Sequence, residues 1–147
     1  MAKKFWPVML VLASAMTVMS CGLFACPFNG EWDGGDSVFV LNNGRWEEFT
    51  GGQLMARGRY RFDEGPARSF IMEPTHFMHD SGRMVNRRGM RRLISRELPF
   101  ETRFMPGRRN FIDGMVDQAF VAHFGNFDFH DDDFIIIIRG GPRLIKR

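Results

Sequence analysis

Few side chains in this chain are spaced to do chemistry. His76, His79 and Asp80 fall in His76-Phe77-Met78-His79-Asp80. On a helix, histidines three apart share a face and could hold one metal ion. Pro74, two residues earlier, favours an extended chain, where the two imidazoles point to different sides. His130 to Asp133 offers one imidazole and three carboxylates. It lacks the glycine and closing glutamate of a calcium loop, so it reads as a solvated hairpin tip. Glu47 and Glu48 are adjacent, and neighbours on a strand face opposite sides, so they cannot share a pocket as acid and base. The sequence has no Gly-x-Ser-x-Gly turn and no phosphate-cradling glycine loop. The expectation is a non-enzymatic protein with no metal and no cofactor.

The two cysteines, Cys21 and Cys26, suggest a different chemistry. Lys3 and Lys4 precede an apolar run from Phe5 to Met19, and Ser20, Cys21 and Gly22 follow. That order is the order of an export signal. Val18-Met19-Ser20-Cys21 resembles the lipobox of bacterial lipoproteins, where the cysteine thiol is alkylated by diacylglycerol. Leu23-Phe24-Ala25-Cys26 fits less well because Phe24 is bulky, so Cys21 is the favoured site and Cys26 the alternative. Two or three acyl chains, at roughly 0.8 kcal/mol per buried methylene, hold a protein on a bilayer. The resemblance implies a signal peptide over 1–20, a tether over 21–28 and a single folded domain over 29–147. It also implies a cell-envelope location and a lipid bilayer as partner. Cleavage removes both lysines and leaves 18 basic and 17 acidic residues, a net of +1. That balance and export both argue against nucleic acid as a partner.

The elements after the tether have a period of two. In Leu54 to Phe62, Ala56, Gly58, Tyr60 and Phe62 alternate with Arg57, Arg59 and Arg61, as on a strand with one buried and one wet face. Asn43-Gly44 and Gly51-Gly52 separate three such runs, and Asp63 to Pro66 precedes a fourth. These are hairpin signals, because glycine and asparagine accept positive φ. Phe120 to Phe129, Phe134 to Ile138 and Arg143 to Arg147 read as further strands. Phe111 to Ala122 has the composition of a helix, but Gly114 and the aromatics argue against one. The segment 83–109 holds nine arginines against Glu97 and Glu101. It reads as a basic insertion of one or two strands with long connections.

Asn29-Gly30-Glu31-Trp32 resembles the Gly-x-Trp opening of lipocalins and of lipocalin-like domains in small, spirochaete-type bacterial lipoproteins. Asn43-Gly44, Gly58-Arg59-Tyr60, Pro74-Thr75-His76 and the apolar closing hairpin extend the likeness. It implies an all-β fold: a small antiparallel meander closing into a barrel of about eight strands, preceded by the N-terminal signal helix. It makes Gly30 and Trp32 the barrel-floor motif, with Arg139 or Arg143 as the basic residue over the tryptophan.

Two functions fit this fold. An eight-stranded barrel can hold one small ligand or be filled by its own side chains. In the first case Trp46, Tyr60, Phe62, Phe127 and Phe129 would line a site for an apolar or amphipathic molecule. In the second, the barrel is a structural or interaction module. Its Arg-rich segment, with Arg87, Arg88, Arg91 and Arg92 foremost, would then meet envelope lipids or a protein partner.

Overall fold

The computed structural model describes residues 26–130 and 133–147. The signal segment and Cys21 lie outside the described residues, as do Asp131 and Asp132 of the expected hairpin tip. The chain forms β1 (Gly30–Asp33), β2 (Ser37–Asn42), β3 (Arg45–Thr50), β4 (Gln53–Asp63), β5 (Ser69–Met78) and β6 (Met84–Asn86). Helix α1 (Arg87–Glu97), a 3-10 turn (Phe100–Phe104) and helix α2 (Arg108–Ala119) follow. Strands β7 (His123–His130), β8 (Asp133–Ile138) and β9 (Arg143–Lys146) complete the chain.

Eight of the strands close a barrel. All its pairings are antiparallel, β1 joins both β2 and β9, and β4 joins β5. This is consistent with the lipocalin-like barrel expected from Gly30-Glu31-Trp32. The meander is local because its turns demand it. Asn43 and Gly44 have φ of 48° and 80°, which places β2 and β3 in register from Asn42↔Arg45 to Ser37↔Thr50. On β4 the alternation places Ala56, Gly58 and Tyr60 inside and the arginines outside. Gly58 is required by space. A Cβ there would stand 2.1 Å from Glu73 O and 2.6 Å from Trp46 Nε1. The Trp46 indole packs against this glycine and donates to Arg59 O at 3.0 Å.

The chain between β5 and β7 differs from the expectation of strands and loops. Only β6, three residues long, is a strand, and two helices and a 3-10 turn make up most of the rest. Arginine is a good helix former, and Met90, Leu93 and Ile94 recur at the spacing of one helix face. The Asn86 side chain caps α1 by accepting from Gly89 N at 2.9 Å. Helix α2 buries Ile112 and Val116 and tolerates Gly114 at a position with open space around it. The insertion is thus larger than 83–109 and reaches His123. It leaves β5 from one half of an edge whose other half, Ser69–Met72, pairs with β7.

The core differs from expectation at its N-terminal boundary. Cys26 and Phe28, placed in the tether by the sequence reading, are both buried. A turn closed by Asn29 N donating to Cys26 O at 2.9 Å folds Phe28 inward. Asn29 then ties this turn to the β2–β3 hairpin, giving its Nδ2 hydrogen to Asn43 Oδ1 at 3.0 Å and accepting from Asn43 N at 2.8 Å.

Candidate functional site

Phe28 is the hub of the barrel interior. It is 0% exposed. Its ring lies 4.3 Å from Phe62, 4.9 Å from Phe127, 5.0 Å from Phe134 and 5.2 Å from Phe70, centroid to centroid. Trp32 and Tyr60 complete the circle at 6.4 and 6.3 Å. These rings come from β1, β4, β5, β7 and β8, so one side chain from outside the strands touches most of the wall. The distances are those of tilted and edge-on aromatic packing, which adds to the area term.

The five expected liners divide accordingly. Trp46, Tyr60 and Phe127 are buried core residues, and Phe62 packs against the same core while partly exposed. Phe129 shares the face of β7 that carries Phe127, yet it is 67% exposed and stacks on its cross-strand partner Phe134 at 4.6 Å. Phe28 stands among Tyr60, Phe62 and Phe127 in the barrel interior. The burial of Phe28 had little sequence signal, since it stands before the first strand without a period to place it.

Of the two residues of the expected floor motif, Gly30 is exposed with φ of 133° and Trp32 is buried. Trp32 is fully buried, and its Nε1 donates to Phe28 O at 2.9 Å. The basic residue over it is neither Arg139 nor Arg143. Lys146 stands opposite Trp32 across the β1–β9 ladder, with Nζ 5.9 Å from the ring centroid. The same ammonium donates to Pro27 O at 2.6 Å. It therefore fastens the last strand to the turn that carries Phe28.

The insertion presents a second set of groups. Arg87 pairs with Asp117, and Arg91 Nη2 lies 2.8 Å from Asp113 Oδ1, a charge contact without hydrogen-bond alignment. Arg108 donates to Ser95 O at 2.8 Å and to Ser95 Oγ at 3.1 Å. These contacts join the two helices. They commit Arg87 and Arg91, two of the four arginines expected at the surface, to holding the insertion together. Arg88 and Arg92 form no ion pair among the described residues, nor does Arg96 one turn further on. At four-residue spacing the three make one stripe of α1. Between the two helices the 3-10 turn exposes Phe100 and Phe104, 62% and 78% accessible. Their rings meet edge-on at 5.8 Å, and Arg103 lies over Phe100 at 4.9 Å. Met105, Phe111 and Met115 of the same insertion are also exposed. Sequence reasoning missed Phe100 and Phe104, though two phenylalanines four apart inside an arginine-rich run were visible.

His76 and His79 have separate partners. His79 accepts at Nδ1 from Ser81 N at 3.2 Å, which leaves its Nε2–H for Glu97 at 3.1 Å. It clips the turn after β5 to the end of α1. His76 lies on β5 with Nδ1 3.1 Å from Thr75 Oγ1. Burial first, and the charge of Arg57 second, hold the His76 imidazole below its ordinary value. Asp33 is held below the usual carboxylate range by the Gly35 N–H and then by Arg147. Among the described residues no three His, Cys, Asp or Glu side chains converge as a metal cluster would. No protein-family model, no curated protein and no solved structure matches this chain.

Proposed function

We propose that this chain is a membrane-anchored envelope lipoprotein of lipocalin-like build. In this reading it is held by acylated Cys21 and works as a non-enzymatic interaction module with a filled barrel. The insertion between β5 and β7 is its working surface, and an anionic bilayer is what it meets. The observation that carries this reading is that one insertion holds both exposed Phe100 and Phe104 and the stripe Arg88, Arg92 and Arg96, which forms no ion pair among the described residues. Exposed aromatics partition into the headgroup boundary, while guanidiniums meet lipid phosphates. Among the described residues no helix is long and apolar enough to cross a membrane, so the helical contact is one that lies on the surface. Phe28 inside the barrel favours this reading over the carriage of a small apolar ligand there.

Binding to vesicles tests it. A chain beginning at residue 21, with Cys21→Ser to remove the anchor, retains every described core residue. It should co-sediment with vesicles rich in phosphatidylglycerol and not with phosphatidylcholine alone. Each basic residue near an anionic surface contributes about 1 kcal/mol. Replacing Arg88, Arg92 and Arg96 with serine should therefore weaken binding on the order of a hundredfold. Phe100→Ser with Phe104→Ser should weaken it further without altering the melting curve. Equal binding to both vesicle types, or full binding by the variants, would sink the proposal.

A further inference from the structure

The outer wall of the barrel carries a second basic site, unrelated to the insertion. A half-open groove of about 550 Å³ runs over β2 to β5 and is lined by Arg45, Arg57, Arg59, Glu47, Thr75 and His76, among others. The β3–β4 register sets Arg45 directly opposite Arg59, and Glu47 opposite Arg57. Like charges directly opposed weaken a sheet. The next arginine in the same row shows the usual remedy: Arg61 Nη2 meets Glu73 at 3.2 Å. Arg45, Arg57 and Arg59 have no such ion pair among the described residues. Among the described residues Glu47 is the one carboxylate lining the groove, against three guanidiniums, and Glu73, opposite Arg59 on β5, is taken up by Arg61.

The floor of the groove is built rather than incidental. The strand pairing shifts register between Arg57 and Gly58, bulging β5 at Thr75. Bulges bend a strand and re-aim its side chains. Thr75 Oγ1 donates to Arg57 O at 3.2 Å. Its oxygen therefore accepts from His76 Nδ1 at 3.1 Å, and the neutral ring keeps its free lone pair on Nε2. His76 so stands at the edge of the groove with only an acceptor nitrogen free, and the donors for an oxyanion are the guanidiniums, whose planar forks match carboxylate and phosphate oxygens.

We propose that this groove binds a small oxyanion carrying two phosphate or carboxylate groups, bridging Arg45 and Arg59 on one side and Arg57 on the other. The volume is in the range of small-molecule sites. Two anionic groups offset the excess positive charge and relieve the repulsion of the opposed pair. This site is independent of the bilayer reading, since none of its residues belongs to the insertion.

The test is calorimetric titration of the full chain in a non-ionic detergent at low ionic strength, with pyrophosphate and citrate as probes. Chloride at matched ionic strength is the control. Saturable binding of one equivalent of either probe is expected, with chloride silent. Preference for pyrophosphate would assign phosphate as the recognised group, and preference for citrate carboxylate. Arg57→Gln with Arg59→Gln removes two exposed charges and should weaken binding at least tenfold. Arg88→Ser with Arg92→Ser should leave it unchanged. No saturable binding of either probe overturns the proposal. So does wild-type affinity in the Arg57 and Arg59 variant, or a loss seen in the Arg88 and Arg92 variant.

Discussion

The barrel and the insertion between β5 and β7 draw on apolar burial to very different extents. The barrel closes on a continuous aromatic and aliphatic core, and no charged side chain is buried in it among the described residues. Helix α1 buries no residue at all. On α2 only Ile112 and Val116 are buried, and the Arg87–Asp117 and Arg91–Asp113 contacts and the Arg108 bonds to Ser95 join the two helices. Through Phe120 the end of the insertion touches Phe77 of β5 edge-on at 5.0 Å. Burial of apolar area is the larger force, and exposed ion pairs contribute little. The barrel is accordingly the stable frame and the insertion the part with less burial to hold it. Regions with few buried apolar contacts open at lower free energy than a core does.

The sharpest way to break this comparison is at Phe28. Phe28→Ala should destabilise the whole domain by about 3–5 kcal/mol, a large share of the total for a single domain. Urea unfolding read by tryptophan fluorescence would measure it. A loss under about 1 kcal/mol would mean that the wall collapses onto the vacated space, and that Phe28 is a passenger. Gly58→Ala comes next. Its Cβ would collide with Glu73 O and Trp46, and overpacking of this kind costs about 1–3 kcal/mol. The same urea curve should shift accordingly, with the intrinsic fluorescence of Trp46 altered.

Smaller effects should fall on the insertion alone. Asp113→Asn with Asp117→Asn removes both inter-helix charge contacts, each partly exposed and each worth under about 1 kcal/mol. The urea midpoint of the barrel should barely move, while amide exchange in α1 speeds up. Equal acceleration in the barrel strands would show that the two regions unfold as one unit. The smallest effect concerns His76. Its pKa is lowered in the folded state, so its share of stability is present above the ordinary value of 6.5 and is lost as pH falls through the folded value. His76→Gln should flatten that part of the pH–stability curve relative to the parent chain. Parallel curves below pH 6.5 would show that the histidine titrates alike in both states.

The strands were legible because their signal is local. Alternation in Leu54–Phe62 and the Asn43-Gly44 turn each report on a few neighbouring residues, and the structure places both as read. The helices were harder to see. Met90, Leu93 and Ile94 with the Asn86 cap carried a helix signal, but the surrounding arginines masked it because charge has no face of its own. The surface arginines show a related limit. The spacing of Arg87, Arg88, Arg91 and Arg92 put them on one helix surface, yet nothing in that spacing separates the two that meet acids of α2 from the two that do not.

The sequence by itself determined an antiparallel all-β frame, its hairpins and which face of each strand is wet, because period and turn chemistry are properties of short segments. Only the tertiary structure decided what fills the barrel and what stands over Trp32. Phe28 enters the core from outside the strands, and Lys146 reaches Trp32 because β9 closes onto β1 in one register. Both depend on residues far apart in the chain meeting in space, which no local pattern encodes.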